Sequence, residues 1–374
     1  MRTFNLFTLA LLVLSFVACN DENRAGDWAR VPSYGGEPRN GAVAFVIDDI
    51  AYVGLGYGVK SVEYKSFKKY DYKTGQWYDV ADFGGKGRHG AVAFVIDGKA
   101  YVGTGYITSK PGAIGEEARE REWLNDFWCY DPVADAWTEV ASLDKAIDLD
   151  GRSTPGDPRQ DAVAFSIEKY GYVGTGVGKD GKLYKDFYFY NPSIDRWTKM
   201  PDFIGEPRRG GTTFVIGGSA YVCLGGTSGG STGLLLDNNK FTPNADGTGT
   251  WKPMQALANK PENKQDKDYG RIPRAYAFSF ITDKGNDGNA YAYIAGGTAG
   301  NTVWRYDHNR DTWHQREGLP FPGIVAAVGF SVNGYGYCTT GAGSYETQGG
   351  STDSWKFFPD IKEDRGNDYA ALHY

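Results

Sequence analysis

The sequence predicts an all-β fold in which six four-stranded sheets are set radially as a six-bladed β-propeller. Three observations carry this: a hairpin that recurs six times, a Trp that returns at a fixed distance, and a composition rich in turn-forming and strand-forming residues. The 374 residues include 52 Gly, 26 Tyr, 20 Phe and 10 Trp, a mixture suited to short strands joined by tight turns.

The hairpin is the strongest repeat. "RNGAVAFVIDDIAYVGLG" (39–56), "RHGAVAFVIDGKAYVGTG" (88–105), "RQDAVAFSIEKYGYVGTG" (159–176) and "RRGGTTFVIGGSAYVCLG" (208–225) align without a gap. "RAYAFSFITDKGNDGNAYAYIAGG" (274–297) has a longer turn, and "IVAAVGFSVNGYGYCTTG" (324–341) is the sixth copy. Each alternates with period two, breaks at a polar or Gly-containing turn and resumes as a second apolar strand, the pattern of an antiparallel hairpin. These are strands a and b.

Strands c and d follow. Tyr70, Tyr130, Tyr190 and Tyr306 precede Trp77, Trp137, Trp197 and Trp313 by seven residues each, and Phe241 to Trp251 is a stretched version. One such sheet alone cannot bury both faces, whereas six packed radially can.

The sixth repeat reaches "SWKFFPD" (354–360) and then lacks its Trp. An orphan Trp28 stands near the other end of the chain, eleven residues before Arg39, the interval that also separates Trp77 from Arg88 and Trp197 from Arg208. The segment around Trp28 is therefore expected to supply strand d of the last blade and close the ring, since an unlocked ring would leave a bare sheet edge at its seam.

These pieces resemble the kelch family of β-propellers. The residues that carry the resemblance are the glycines after strand b, Gly225-Gly226 and Gly296-Gly297 as pairs, then Tyr-Asp, then Trp. Repeat starts lie 49 to 71 residues apart, and kelch blades run about 50. The likeness covers nearly all of residues 28–360. Blades one to three depart from it, with Gly-Leu-Gly or Gly-Thr-Gly in place of Gly-Gly, a variant similar to secreted Bacteroidetes kelch lipoproteins. More distantly the chain resembles the six-bladed N-acetylneuraminate epimerase (mutarotase) family.

The N-terminus is read as an export signal. Arg2 is followed by the apolar run "FNLFTLALLVLSFVA", which ends in Ala18 before Cys19. The run is too short and too N-terminal for a spanning helix. It resembles a bacterial lipoprotein signal, which implies acylation of Cys19. The expected organisation is a signal over 1–18, a lipidated tether over 19–27, the propeller over 28–360 and a tail over 361–374. The implied location is the bacterial outer membrane, surface-exposed or alternatively periplasmic, with the membrane reached only through the lipid. Loss of Arg2 takes the formal charge from −6 to −7, which argues against a nucleic-acid partner. Cys129, Cys223 and Cys338 sit in apolar strands and are expected as buried free thiols, not a disulfide framework or a metal site.

Function is expected on one face. The b–c and d–a connections emerge together, and the long insertions 106–125, 141–158 and 253–272 all belong to them. A loop-rich face on a rigid scaffold is where binding concentrates, so the partner is expected to be a glycan or a protein there. Strand a is innermost in kelch blades, which places Arg39, Arg88, Arg159, Arg208 and Arg274 near the channel mouth on that face, with Ile324 breaking the series. Five guanidiniums would attract an anion. Alternatively each is scaffold, paired with a carboxylate such as Asp126, Asp186 or Asp353.

No cofactor is expected. Copper-radical kelch oxidases need two His and two Tyr on the metal, and of His89, His308, His314 and His373 only His89 falls near the mouth. The epimerase resemblance implies instead an Arg-lined pocket for a carboxylated sugar, with an acid/base pair at the ring oxygen and anomeric hydroxyl. Candidate acids are Glu116, Glu117, Glu120 and Glu122 in the first long loop and Asp148 and Asp150 in the second. The alternative for the glutamates is a solvated helical turn.

Overall fold

The computed structural model describes residues 24–59, 62–108, 121–228, 232–258, 272–343 and 349–362. It contains six four-stranded antiparallel sheets and one two-stranded ribbon. Blade one runs a to d through Val43–Ile47, Ile50–Gly54, Phe67–Asp71 and Gln76–Val80. The other blades repeat that order. The a strands of successive blades touch one another around the ring, including those of blades one and six, so strand a is innermost as expected.

The ring closes through the N-terminal strand. Ala25–Val31 pairs antiparallel with Ser354–Lys362, with Trp28 opposite Phe357. Trp28 is buried and meets Phe280 of blade five edge-on at 5.7 Å and Phe357 at 4.9 Å. Both closing strands overrun the expected boundaries. The first begins at Ala25, inside the expected tether, and the last continues to Lys362, inside the expected tail.

The core lies between blades, where the strand-d Trp of one blade packs on its neighbours. Trp197, Trp304 and Trp313 are fully buried. The Trp197 indole donates to the Ala141 carbonyl of the preceding blade at 2.7 Å, and Trp137 and Trp313 repeat that bond to Ala81 and Gln255. Burial of such rings, at roughly 25 cal/mol per Å² of apolar surface, is the main stabilising term. Cys223 and Cys338 are buried free thiols, and Cys129 is half-buried at the margin of the core cluster that holds Phe127.

Two hydrogen-bonded rings join the blades at the loop-rich face. In the first, the glycine after each strand b donates to the carbonyl of the residue that opens strand a of the next blade. The bonds are Gly56 to Arg88, Gly105 to Arg159, Gly176 to Arg208, Gly225 to Arg274, Gly297 to Ile324 and Gly341 to Arg39, all 2.7–2.9 Å. In the second, six residues nearest the axis bond in a closed cycle: Gly41 to Ala326, Ala326 to Tyr276, Tyr276 to Gly210, Gly210 to Asp161, Asp161 to Gly90 and Gly90 to Gly41, at 2.8–3.1 Å. All six have φ between 52° and 61°. That is the left-handed region, inexpensive for glycine and costly for the rest.

The first ring also corrects the glycine register. Gly225 and Gly297 are equivalent, so Leu224 stands where Gly296 does. Leu55, Thr104, Thr175, Leu224 and Thr340 all adopt φ of 58–62° there. Each pays roughly 1 kcal/mol or more for that conformation, so the backbone around them must be held firmly.

Candidate functional site

The arginines that open strand a do the holding. Arg39, Arg88, Arg159 and Arg208 donate from Nη1 to the carbonyls of Leu55, Thr104, Thr175 and Leu224 at 2.8–3.1 Å. Each also donates from Nε to the carbonyl two residues before it, at 2.9–3.0 Å. Arg88, Arg159 and Arg208 complete the clamp with bidentate pairs to Asp126, Asp186 and Asp237 at 2.5–2.9 Å. Arg39 has Ser66 instead, and lies between the rings of Tyr34 and Tyr64 at 4.9 and 4.4 Å. Arg274 has Thr302, at 2.6 Å.

Electrostatics follow the partner. Burial alone would lower the Arg159 guanidinium, but the bonds and charge of Asp186 outweigh it and raise its pKa. Arg274, buried without a carboxylate, is lowered to about 10. None of the five is more than 1% exposed. The shared cationic mouth expected of Arg39, Arg88, Arg159, Arg208 and Arg274 is therefore not formed, because each guanidinium is sealed inside its blade as a clamp on a strained turn.

The residue after the strand-opening position differs from blade to blade. Asn40, His89, Gln160, Arg209, Ala275 and Val325 occupy this position in blades one to six. Five of them bridge to the start of their own blade's b–c loop, as His89 does with Tyr106 and Arg209 with Gly226, and the Ala275 carbonyl accepts from Thr298 there. Blades one to four thus present a polar arc, and blades five and six an apolar one. Asn40 reaches the Gly349 carbonyl of blade six at 2.7 Å. The Gln160 Oε1 is buried and accepts no hydrogen bond among the described residues. Arg209 is half-buried, and no hydrogen bond or ion pair of its guanidinium is found among them.

The axial ring adds two side chains. Tyr276 lies against Gly210, where a Cβ would come within 2.8 Å of its ring, and its hydroxyl reaches Asp161 Oδ2 across the axis at 3.2 Å. His89 packs against Gly41 in the same way. Its imidazole sits 5.2 Å from the Tyr57 ring, 5.3 Å from the Tyr106 ring and, at Nδ1, 3.8 Å from Glu63 Oε1. Burial lowers the His89 pKa to about 4, so it is a neutral imidazole at physiological pH. Glu63 in turn accepts from the Thr108 backbone at 2.7 Å and from its hydroxyl.

Glu63 connects the mouth to a cleft of about 1140 Å³ between blades one and two, lined also by Lys86, Glu122, Trp123, Asp126 and Trp128. Trp123 packs on Tyr106 at 4.9 Å, and Lys86 pairs with Glu122 at 2.6 Å. The cleft carries the polar groups Glu63, Lys86, Glu122 and Asp126 among apolar and aromatic walls.

The candidate acids fare differently. Glu116, Glu117 and Glu120 lie outside the described residues. Glu122 lies in the cleft. Asp148 and Asp150 are not brought to the mouth. Asp148 accepts from the backbone amides of Asp150 and Arg152, and Asp150 pairs with the Arg152 guanidinium at 2.6 Å, all within one exposed turn. Local turn chemistry accounts for both. Arg209, Asp161, Tyr276 and Glu63 were not singled out from the sequence. The available signal was the contrast between a first position constant in five blades, R-R-R-R-R-I, and a second position that changes in every blade, N-H-Q-R-A-V.

Residues 22–226 match a family model described as the KLHDC2/KLHL20/DRC7 Kelch-repeats domain. Over 93 residues the chain is 33% identical to N-acetylneuraminate epimerase of Escherichia coli O9:H4 (strain HS) and 32% identical to that of Shigella flexneri. That match takes in 24% of this chain and 22% of each relative. A solved structure titled "Structure of YjhT" superposes with a TM-score of 0.62 at 17% identity, covering 87% of this chain and 95% of that one. At that identity the superposition speaks for the fold.

Proposed function

This chain belongs to the kelch-repeat family, and from that premise we propose that it is an extracytoplasmic lipoprotein that binds an acidic glycan at the polar arc of its channel mouth. The observation that carries the reading is Arg209, a guanidinium without a partner among the described residues, in an arc that offers the buried Gln160 Oε1 and the neutral His89 beside it. A guanidinium recognises a carboxylate bidentately, and neutral amide and imidazole groups suit sugar hydroxyls. Trp123 and Trp128 in the adjoining cleft offer apolar faces to further sugar rings. Anchoring through acylated Cys19 would hold this face outside the cytoplasm, at the outer membrane.

The test is glycan-array binding by residues 20–374, followed by titration of each hit. Arg209→Ala is expected to weaken an acidic glycan at least tenfold and to leave thermal unfolding nearly unchanged. An unaltered affinity would overturn the assignment, and array silence with capture of a protein ligand would move the site to the protein-binding alternative.

A second reading, sugar mutarotation, is favoured by the partial match to N-acetylneuraminate epimerases and by the Asp161–Tyr276 contact, which sets a carboxylate and a phenol together at the mouth. Mutarotation needs one group to accept and one to donate a proton. Anomer exchange followed by NMR, lost in Asp161→Asn but retained in Asp150→Asn, would favour catalysis over binding alone.

A further inference from the structure

Blade six lacks the clamp. Ile324 fills the Arg position, as its carbonyl's place in the first inter-blade ring shows, yet the groups that an arginine would engage remain. Thr340 is the left-handed residue whose carbonyl the clamp takes elsewhere, with φ of 62°. Its carbonyl accepts no hydrogen bond from the described residues. Asp353 opens strand c at the position of Asp126, Asp186 and Asp237. Pro322 lies two residues before Ile324, the place of the carbonyl that receives Nε in blades one to four.

The space is open as well. A cleft of about 390 Å³ is lined by Pro322, Ile324, Thr340, Asp353, Phe321 and Trp355, among others. In blades one, two and four the residue matching Phe321 is glycine, and a Cβ there would lie 2.4–3.1 Å from the clamp's Nη2. Blade six has a ring at this point, tilted against Trp355 at 5.1 Å. Asp353 is not idle. Arg30, from the closing strand, reaches its Oδ2 at 3.0 Å from outside, with its guanidinium 5.1 Å from the Trp355 ring. Both side chains are almost half exposed, at 48% and 44%. Every intact clamp takes both carboxylate oxygens, whereas Arg30 takes one.

We propose that this cleft between blades five and six is a binding site for a guanidinium, the side chain of an arginine supplied by a ligand, which takes the place the missing clamp leaves. The ligand's guanidinium would bond the Thr340 carbonyl and the remaining Asp353 oxygen, with Phe321 and Trp355 as aromatic walls for the cation. The preference for guanidinium over ammonium follows from the planar, forked arrangement that the five other blades satisfy with arginine. This site is separate from the polar arc and does not depend on the reading given to it.

The experiment titrates residues 20–374 with N-acetyl-arginine amide, N-acetyl-lysine amide and N-acetyl-citrulline amide, following Trp fluorescence and protein NMR shifts. An arginine-bearing tripeptide serves as a further arm, to separate a free amino-acid derivative from a peptide as the source. Saturable binding of the arginine compounds is expected, with lysine at least fivefold weaker and citrulline silent. Asp353→Asn is expected to lose at least tenfold. Ile324→Arg is expected to fill the cleft from within, abolish binding and raise the melting temperature. Equal binding of citrulline, retention in Ile324→Arg, or no saturation by any arginine probe would each overturn the proposal. Should Ile324→Arg fail to fold, Asp353→Asn and the citrulline comparison decide alone.

Discussion

Blades two, three and four carry a complete Arg–Asp clamp, while blades five, six and one, which flank the seam, each lack one member. Arg39 and Arg274 have hydroxyl partners in Ser66 and Thr302, and Asp353 has no arginine at the start of its blade's strand a, only Arg30 from the closing strand. The complete half is uniform because a left-handed turn beside strand b needs its carbonyl fixed, and a buried bidentate pair does this in one residue. The seam half tolerates variation because other contacts hold it. The closing strand brings Trp28 and Arg30, and aromatic rings enclose Arg39. Repetition therefore marks architecture here, and departures from it mark closure or a site.

The largest effect should come from breaking the seam itself. Deleting residues 24–34 removes the strand paired with Ser354–Lys362 and the buried Trp28 and Tyr34. Aggregation, or loss of a single cooperative unfolding transition, is expected. A variant that stays soluble with its melting temperature unchanged would refute closure by this strand.

Next comes the clamp, compared across the two halves. Arg159→Ala leaves Asp186, whose side chain is 18% exposed, without its partner, and should cost roughly 2–4 kcal/mol by denaturant unfolding. Arg39→Ala strands no carboxylate and should cost about 1–2 kcal/mol, the worth of its hydrogen bonds and ring contacts. The double variant Arg159→Ala/Asp186→Ala should recover part of the loss. Equal costs at Arg39 and Arg159, with no recovery, would show that the carboxylates do not set the difference between the halves.

The fold was legible in the sequence almost in full. Period-two hairpins, the seven-residue Tyr–Trp interval and the orphan Trp28 fix blade number, strand order and closure, because each is a local pattern repeated until chance is excluded. The site was less so. Repetition marks Arg39, Arg88, Arg159, Arg208 and Arg274 and leaves open a shared anion site or pairing with carboxylates such as Asp126 and Asp186; Arg88 and Arg159 make those two pairs. Asp237 was hidden behind the altered spacing of "GLLLDNN". Asp161 and Tyr276 meet across the axis from blades three and five, a juxtaposition that only the closed ring creates. The contrast between the constant and the variable position is physical information that one sequence does hold, since scaffold positions face the same demand in every blade and ligand-facing ones do not.

The smallest expected effect sharpens that contrast at His89, beside Arg88. Burial lowers its pKa from the ordinary 6.5 to about 4, so the unfolded chain binds a proton that the folded chain refuses. Stability from this residue is complete above pH 6.5 and is lost progressively as pH falls toward 4. The groups facing the ring are Glu63, Tyr57 and Tyr106. Burial decides the shift although the Glu63 carboxylate lies 3.8 Å from Nδ1. The loss between pH 7.5 and 5.5 should therefore be about 1 kcal/mol, below the 1.4 kcal/mol per pH unit of a fully refused proton. His89→Asn places blade one's residue in blade two and removes the titration. Its unfolding free energy should be flatter over that range than the wild type's by the same amount, while Arg88 keeps its clamp. A wild type and variant with parallel pH profiles would mean that His89 takes up its proton in the folded state, held as an imidazolium by Glu63, and the arc would then present a cation at His89 as well as at Arg209.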